Sequence, residues 1–393
     1  MSDGRIPVAI LGATGNVGQR FVQLLADHPW FRVAELVASE RSAGKCYGEA
    51  TDWRLGARMP ETASGLPVLD YNADLQSPVV FSGLPGEVAG EIEQRLARTG
   101  HAVLSNTSTH RMEPDVPLLI PEVNADHAEA IATQKRNRGW SGYIVTNPNC
   151  STIHLVLALK PLHDAFGLDA VLATTLQAVS GAGYPGVPSL DMIDNVVPYI
   201  GGEEEKIETE SQKLLGGYDA GAGFVPADFV LSAHCTRVPV RDGHTECVSV
   251  RLRTPATPEE AIAVFEGFRG VPQELGLPSA PPQPVIVRRE PNRPQPVFDR
   301  DDANGMASVV GRVREVPAAR SEVRRPRPQH GSRGRRGVDP QRRAVPRAGT
   351  AARLEPERQP RDERDAGLSA SRSIYVAASM AHPPPTGIAP SGG

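Results

Sequence analysis

The chain has 393 residues, 39% of them hydrophobic, and 42 Lys and Arg set against 46 Asp and Glu leave a formal charge of -4. That is enough apolar material for two cores of about 150 residues each, and the absence of a broad basic field argues against a nucleic-acid partner. No apolar stretch is long enough for a bilayer, no secretory leader opens the chain, and Cys46, Cys150, Cys235 and Cys247 lack CxxC spacing, so a reduced cytoplasmic protein without a metal site or a membrane partner is expected.

Ile6-Pro7-Val8-Ala9-Ile10-Leu11 reads as a strand buried on both faces. It runs into Gly12-Ala13-Thr14-Gly15-Asn16-Val17-Gly18 and then a helical pattern with Val17, Phe21, Leu24 and Leu25 on one side. Strand, glycine turn and helix make a GxxGxxG variant of the dinucleotide fingerprint, in which the backbone approaches a pyrophosphate at the helix N-terminus. Gly12, Ala13, Thr14, Gly15, Asn16 and Val17 are therefore cofactor-binding candidates. The next strand, residues 31–37, should end at the adenosine ribose, where a free 2′-hydroxyl usually meets an acidic residue. The chain supplies Ser39, Glu40, Arg41 and Ser42 instead. Two hydroxyls and a guanidinium suit a 2′-phosphate, with Glu40 turned to solvent, so NADP is favoured over NAD.

Two further strand-then-turn units end in Ser82-Gly83-Leu84 and Ser105-Asn106, with an amphipathic stretch at residues 88–96 between them. The alternation predicts a Rossmann-type, doubly wound parallel sheet up to about residue 150. Arg111 follows a strand end and can be read as an anion holder or, equally, as a solvated surface residue.

Tyr143-Ile144-Val145 leads into Thr146-Asn147-Pro148-Asn149-Cys150-Ser151-Thr152 and an apolar helical stretch over residues 153–162. Cys150 then sits at a helix N-terminus, where unpaired amides and the helix dipole are expected to pull the thiol pKa below about 8.5. The competing reading is a small buried core residue. Beyond it, residues 172–178 and 247–252 read as half-buried strands of an open mixed sheet, covered on one face by helices such as residues 258–268. Between them lie a small polar turn, Gln177-Ala178-Val179-Ser180-Gly181, whose amides could reach a ligand, and an acidic helix start at Glu203. Asp242-Gly243 reads as a hairpin-like turn joining the Arg237 strand to a return strand opened by His244. A thiol, an imidazole and a guanidinium beside a nucleotide fold fit attack of a thiolate on a carbonyl, proton exchange at the imidazole, hydride transfer at the thioester carbon, and a bidentate clamp of a substrate carboxylate by Arg237.

The motifs GATGNVG, ASERSAGK, TNPNCST, LQAVSGAG, EEEK and RVPVRDGH together resemble the aspartate-semialdehyde dehydrogenases of the archaeal and fungal type, from about residue 6 to about residue 316. The resemblance implies NADP-dependent interconversion of L-4-aspartyl phosphate with L-aspartate 4-semialdehyde and phosphate, on the route to lysine, threonine and methionine. It implies Cys150 as acyl-thioester nucleophile, His244 as acid/base, Gln177 as the residue orienting substrate, Arg237 on the α-carboxylate, Glu203 on the amino group, and Arg111 and Lys206 on phosphate. Ser82, Gly83, Leu84, Ser180 and Gly181 join the cofactor contacts. It also implies an NADP-binding domain over residues 1–150, an α+β catalytic and dimerisation domain over 151–317, and a homodimer or homotetramer. Malonyl-CoA reductase, on a similar scaffold with the same Cys and His, is the alternative activity.

From about residue 318 the composition turns abruptly to Arg, Pro, Gly and Ala, which suits a disordered basic tail where the family has a closing strand and helix. A GC-rich message hides apolar residues under Arg and Pro codons: residues 329–344 can be read one base later as Ser-Thr-Val-Arg-Gly-Ala-Ala-Gly-Ala-Ser-Ile-Leu-Asn-Ala-Glu-Leu, which resembles the family's closing helix. The expectation is a slip of coding frame between about residues 317 and 322, and with it a chain that is inactive for want of a complete cofactor pocket or active without one.

Overall fold

The computed structural model describes residues 4–316 and 373–379. Six short strands, β1 (Ile6–Leu11), β2 (Phe31–Val37), β3 (Val68–Leu69), β4 (Val79–Ser82), β5 (Ala102–Ser105) and β6 (Tyr143–Thr146), form one sheet in the order β3-β2-β1-β4-β5-β6. Every pairing is parallel. Parallel strands need crossovers on the faces, and Val8, Ala9, Ile10, Val80, Val103 and Ile144 are accordingly all fully buried. The order reverses at β1, so the C-terminal ends of β1 and β4 open a crevice there, the usual ligand position in such sheets.

Gly12 closes that crevice floor. It holds φ +69°, and a Cβ on it would lie 2.6 Å from the Gly83 carbonyl oxygen, so only glycine lets the β1 and β4 turns approach this closely.

The second sheet is mixed. Its strands are β7 (Leu168–Gln177), β10 (Val230–Arg237), β11 (Thr245–Leu252), β12 (Val285–Arg288), β13 (Ser308–Glu315) and β14 (Ser373–Ser379), in the order β10-β7-β11-β14-β13-β12. A small antiparallel pair, β8 (Gly217–Asp219) with β9 (Gly223–Val225), stands apart. Burial alternates along β7, β10 and β11, as period two demands of a sheet covered on one side. The covered side packs on the helices Cys150–Phe166, Glu203–Leu214 and Pro258–Gly267. Leu155, Leu159 and Leu162 of the first of these are at most 1% exposed, each contributing about 1.5–3 kcal/mol of burial. Leu172 and Val230 on the opposite side are 61% exposed.

Two expectations need correcting. Asp242-Gly243 does not turn a hairpin: β10 is parallel to β7 on one side of it, and β11 is antiparallel to β7 on the other. The segment between Arg237 and His244 crosses the end of β7, held by Val238 N–H on the Gln177 carbonyl and by Val179 N–H on the Val240 carbonyl. The second correction concerns the segment set apart as a tail. Its residues 373–379 form β14 in the sheet interior, antiparallel to both β11 and β13. Ser-Ile-Tyr-Val-Ala-Ala-Ser is a short β-branched and aromatic run without the Arg and Pro of its surroundings, as an interior strand requires. The remainder of the expected tail, with the residues that carry the frame argument, lies outside the described residues.

Candidate active site

The Cys150 turn joins the two sheets. β6 ends at Thr146, and the helix Cys150–Phe166 begins four residues later with Asn149 as its N-cap. Asn149 Oδ1 accepts from Ser151 N–H (3.0 Å) and Thr152 N–H (3.3 Å), satisfying two of the orphan donors of the first turn. Its Nδ2 donates to Glu203 Oε2 (2.7 Å) and its backbone N–H to Glu210 Oε2 (2.7 Å). One asparagine therefore fixes the residue before the thiol to the helix behind it and to the helix Glu203–Leu214.

Period two brings the partners. Gln177 and Arg237 are the last residues of β7 and β10, stand opposite each other in register, and face the covered side. His244 immediately precedes β11. Its Nε2 lies 3.3 Å from Cys150 Sγ, and its Nδ1 accepts from Ala178 N–H (3.0 Å). Because Nδ1 is occupied as an acceptor, the neutral ring carries its proton on Nε2, pointed at the sulfur. Arg237 Nη1 donates to the Ala178 carbonyl (2.8 Å) and stands 3.5 Å from Gln177 Oε1; Gln177 Nε2 stands 3.5 Å from Glu203 Oε2. Lys206 Nζ donates to Glu203 Oε1 (3.0 Å).

Gly181 is the tightest neighbour of this group. A Cβ there would come within 2.9 Å of Arg237 Nη1 and 3.1 Å of His244 Cε1. Ser180 Oγ is buried beside it without a partner among the described residues.

The thiol pKa runs opposite to expectation. Burial of the sulfur outweighs the helix N-terminus, the Glu203 and Glu246 carboxylates add to it, and Cys150 is pushed up to about 11 against the pull of Ser151 N–H and Arg237. Glu246, on the same covered face one residue into β11, has both carboxylate oxygens buried without a partner among the described residues, and burial raises it to about 8.

Arg111 is buried rather than solvated, 7% exposed. Nη1 donates to Glu210 Oε1 (2.9 Å) and Nη2 to the Asn106 carbonyl (2.9 Å), while Nε has no partner among the described residues. Such an orphaned donor on a buried guanidinium suits an anion.

At the first sheet, a cleft of about 240 Å³ is lined by Thr14, Arg41, Ser42, Lys45, Glu49, Ala50, Asp52 and Arg54. Arg41 and Lys45 suit a phosphate monoester there, while the third cation, Arg54, is paired with Asp52 (2.6 Å) of the same lining and Glu49 adds a second carboxylate to the cleft. Ser39 closes the turn beneath it, its carbonyl accepting from Ser42 N–H. Gly15 N–H bonds the Gly12 carbonyl, Asn16 and Val17 open the helix Asn16–Leu25, and the buried Ala13 offers its carbonyl to Tyr47 Oη. Gly83 N–H bonds the Leu11 carbonyl, and Leu84 is 6% exposed. Ser82 differs from expectation: it is fully buried and donates its hydroxyl to Glu93 (2.6 Å), bracing the end of β4 from within the sheet.

Sequence reasoning passed over Asn149, Glu210, Glu246, Lys45 and Arg54. Asn149 is legible as a helix cap directly before the thiol, whereas Glu210, although an acid at helical spacing from Glu203, reads no differently from a solvated carboxylate. Arg54 carries no local signal. Among the described residues no His, Cys, Asp and Glu cluster could hold a metal, and no helix is long and apolar enough to cross a membrane.

Residues 7–131 match the family described as semialdehyde dehydrogenase, NAD binding domain, and residues 159–324 match semialdehyde dehydrogenase, dimerisation domain. The aspartate-semialdehyde dehydrogenase of Methanothermobacter thermautotrophicus is 53% identical over 321 residues, 81% of this chain and 92% of that protein. That of Schizosaccharomyces pombe is 48% identical over 315 residues, 78% of this chain and 88% of its own. Among solved structures, the Candida albicans aspartate-semialdehyde dehydrogenase with NADP superposes with a TM-score of 0.74 at 43% identity, covering 80% of this chain and 90% of that one. Aspartate-semialdehyde dehydrogenase II of Vibrio cholerae, complexed with ASA, gives 0.64 at 26% identity, covering 96% and 93%. The chain belongs to the aspartate-semialdehyde dehydrogenase family.

Proposed function

We propose that the chain interconverts L-4-aspartyl phosphate with L-aspartate 4-semialdehyde and phosphate through an acyl-thioester on Cys150, using NADP, on the route to lysine, threonine and methionine. The observation that carries this reading is His244 Nε2 at 3.3 Å from a sulfur that opens a capped helix. In the acylation step the sulfur–carbon bond forms as the carbon–oxygen bond to phosphate breaks. The thiol's proton ends on the departing phosphate, so acyl phosphate and thiol become thioester and hydrogen phosphate. The Nε2–H of His244 is the donor available to the sulfur and to the oxygen that gains negative charge on the attacked carbon.

Arg237 and Glu203 fit the α-carboxylate and the α-ammonium of the substrate. An ammonium on Glu203 would neutralise a charge that raises the Cys150 pKa, so substrate binding itself favours the thiolate. Arg111 and Lys206 fit the phosphate. The cations around the Thr14–Arg54 cleft fit the 2′-phosphate of NADP, which when bound supplies or accepts the hydride at the acyl carbon. Residues 1–150 would serve as the nucleotide domain and 151–317 as the catalytic and dimerisation domain, with the exposed sheet face around Leu172 and Val230 as the subunit contact of a homodimer or homotetramer.

Phosphate-dependent NADP reduction with aspartate semialdehyde tests the reading. Wild type should turn over and Cys150→Ala should not; unchanged activity in the variant would defeat it. Malonyl-CoA turnover in the same assay separates the alternative activity.

A frame slip between about residues 317 and 322 belongs to the same reading. It requires the frame to be restored before residue 373, because residues 373–379 supply the interior strand β14 between β11 and β13. Sequencing the gene across those codons decides it, since a verified in-frame message excludes the slip.

A further inference from the structure

We propose that Glu210 is a positioning residue that fixes the anion-binding guanidinium and the nucleophile turn to one carboxylate, and so sets the distance between leaving phosphate and sulfur. This rests on the reading of Arg111 as a phosphate contact and Cys150 as nucleophile. The two partners come from the C-terminal ends of neighbouring parallel strands of the first sheet: Arg111 follows β5, and Asn149 follows β6. Glu210 comes from the helix Glu203–Leu214, which packs on the second sheet. Its Oε1 takes Arg111 Nη1 (2.9 Å) and its Oε2 takes Asn149 N–H (2.7 Å), so both oxygens are committed, one to each loop.

The carboxylate is 2% exposed and the Arg111 side chain 9%. At that burial an unpaired charge is costly, so the pair holds its geometry instead of opening to solvent. With Nη1 on Glu210 and Nη2 on the Asn106 carbonyl, the plane of the guanidinium is fixed before any anion arrives, and the ordering entropy of a long side chain is not lost on binding. The orphaned Nε is left as the donor for the anion. One helical turn further on, Lys213 Nζ donates to the carbonyls of Arg111 (2.7 Å), Glu113 (3.0 Å) and Val116 (2.9 Å), immobilising the backbone that carries the guanidinium. Attack on an acyl phosphate needs the phosphate and the sulfur at a set separation across one carbon. Here a single side chain spans the two loops that would hold them.

Glu210→Gln separates the two contacts. The amide oxygen can still accept from Asn149 N–H, but the charge facing Arg111 is gone. Titration calorimetry with inorganic phosphate should show affinity falling about tenfold, the lower end of what loss of a supporting contact costs, and the KM for phosphate should rise alongside while that for aspartate semialdehyde does not follow. Glu210→Ala loses both contacts and should also lower kcat and change the rate at which iodoacetamide alkylates Cys150. Arg111→Ala, measured in parallel, distinguishes the layers. If it leaves phosphate binding unchanged, or if wild type binds none, the reading of Arg111 fails and the proposal with it. If Arg111→Ala weakens phosphate and Glu210→Gln does not, only the positioning role is overturned. Equal proportional changes in both KM values and in kcat, tracking a lower melting temperature, would likewise overturn it in favour of a structural role.

Discussion

The turn that carries Cys150 and the rim that carries Arg41 are built by opposite means. At the turn, Asn149, Gln177, Arg237, Glu210 and His244 are all less than a tenth exposed and joined by hydrogen bonds from both sheets. At the rim, Arg41 and Lys45 are exposed side chains around a shallow cleft. Buried polar groups are expensive unless satisfied, and once satisfied they hold a geometry; exposed cations cost little and attract without fixing an angle. On the proposed function, bond making would fall where geometry is held, and cofactor discrimination where charge alone suffices.

The sharpest way to break that contrast is at Gly181. Gly181→Ala puts a methyl 2.9 Å from Arg237 Nη1 and 3.1 Å from His244 Cε1, and since displacement by about 1 Å can cost about a hundredfold, the smaller shift needed here should lower kcat by at least about tenfold, more than it changes the KM for NADP. A loss confined to cofactor affinity would show that the turn is not the rigid half. Arg41→Ala should do the reverse, raising the KM for NADP about tenfold, the worth of one charged hydrogen bond, while any turnover with NAD is spared. An equal effect on both cofactors would remove the 2′-phosphate from the account.

The smallest effect concerns the cost of burial at the turn. Glu246 is raised from 4.5 to about 8, so the folded state holds its proton longer than the unfolded chain does. Its contribution to stability is fully present below about pH 4.5 and is lost as pH rises to about 8, on the linkage sign for a raised carboxyl. Glu246→Gln should therefore flatten the melting temperature between about pH 5 and about pH 8, removing a decline on the order of several degrees seen in wild type. A variant that declines in parallel with wild type would place the titration elsewhere.

Much of this was legible in the chain. Alternating apolar runs and the Gly12 turn point to the parallel sheet, because strands buried on both faces read as near-continuous apolar runs and the glycine turn leads the first of them into a helix. The address of Cys150 follows from Thr146 ending a strand and Asn149 capping a helix. Its pKa did not follow, because the helix N-terminus is a local effect, whereas burial and the charges of Glu203 and Glu246 come from elements far along the chain. The supposed hairpin at Asp242-Gly243 failed for a related reason. Turn chemistry is local, but which strand β11 pairs with was decided by β7. Glu210 stayed hidden because a carboxylate at a helical spacing looks the same whether it faces water or, as here, two loops of another sheet.

The central claim is that Cys150 becomes acylated, and trapping the acyl-enzyme tests it most directly. Wild type incubated with aspartate semialdehyde and NADP without phosphate, then quenched in acid and digested, should yield the Cys150 peptide carrying an aspartyl thioester that added phosphate discharges. NADPH formation with no adduct on that peptide, or an adduct that persists in Cys150→Ala, would contradict the account.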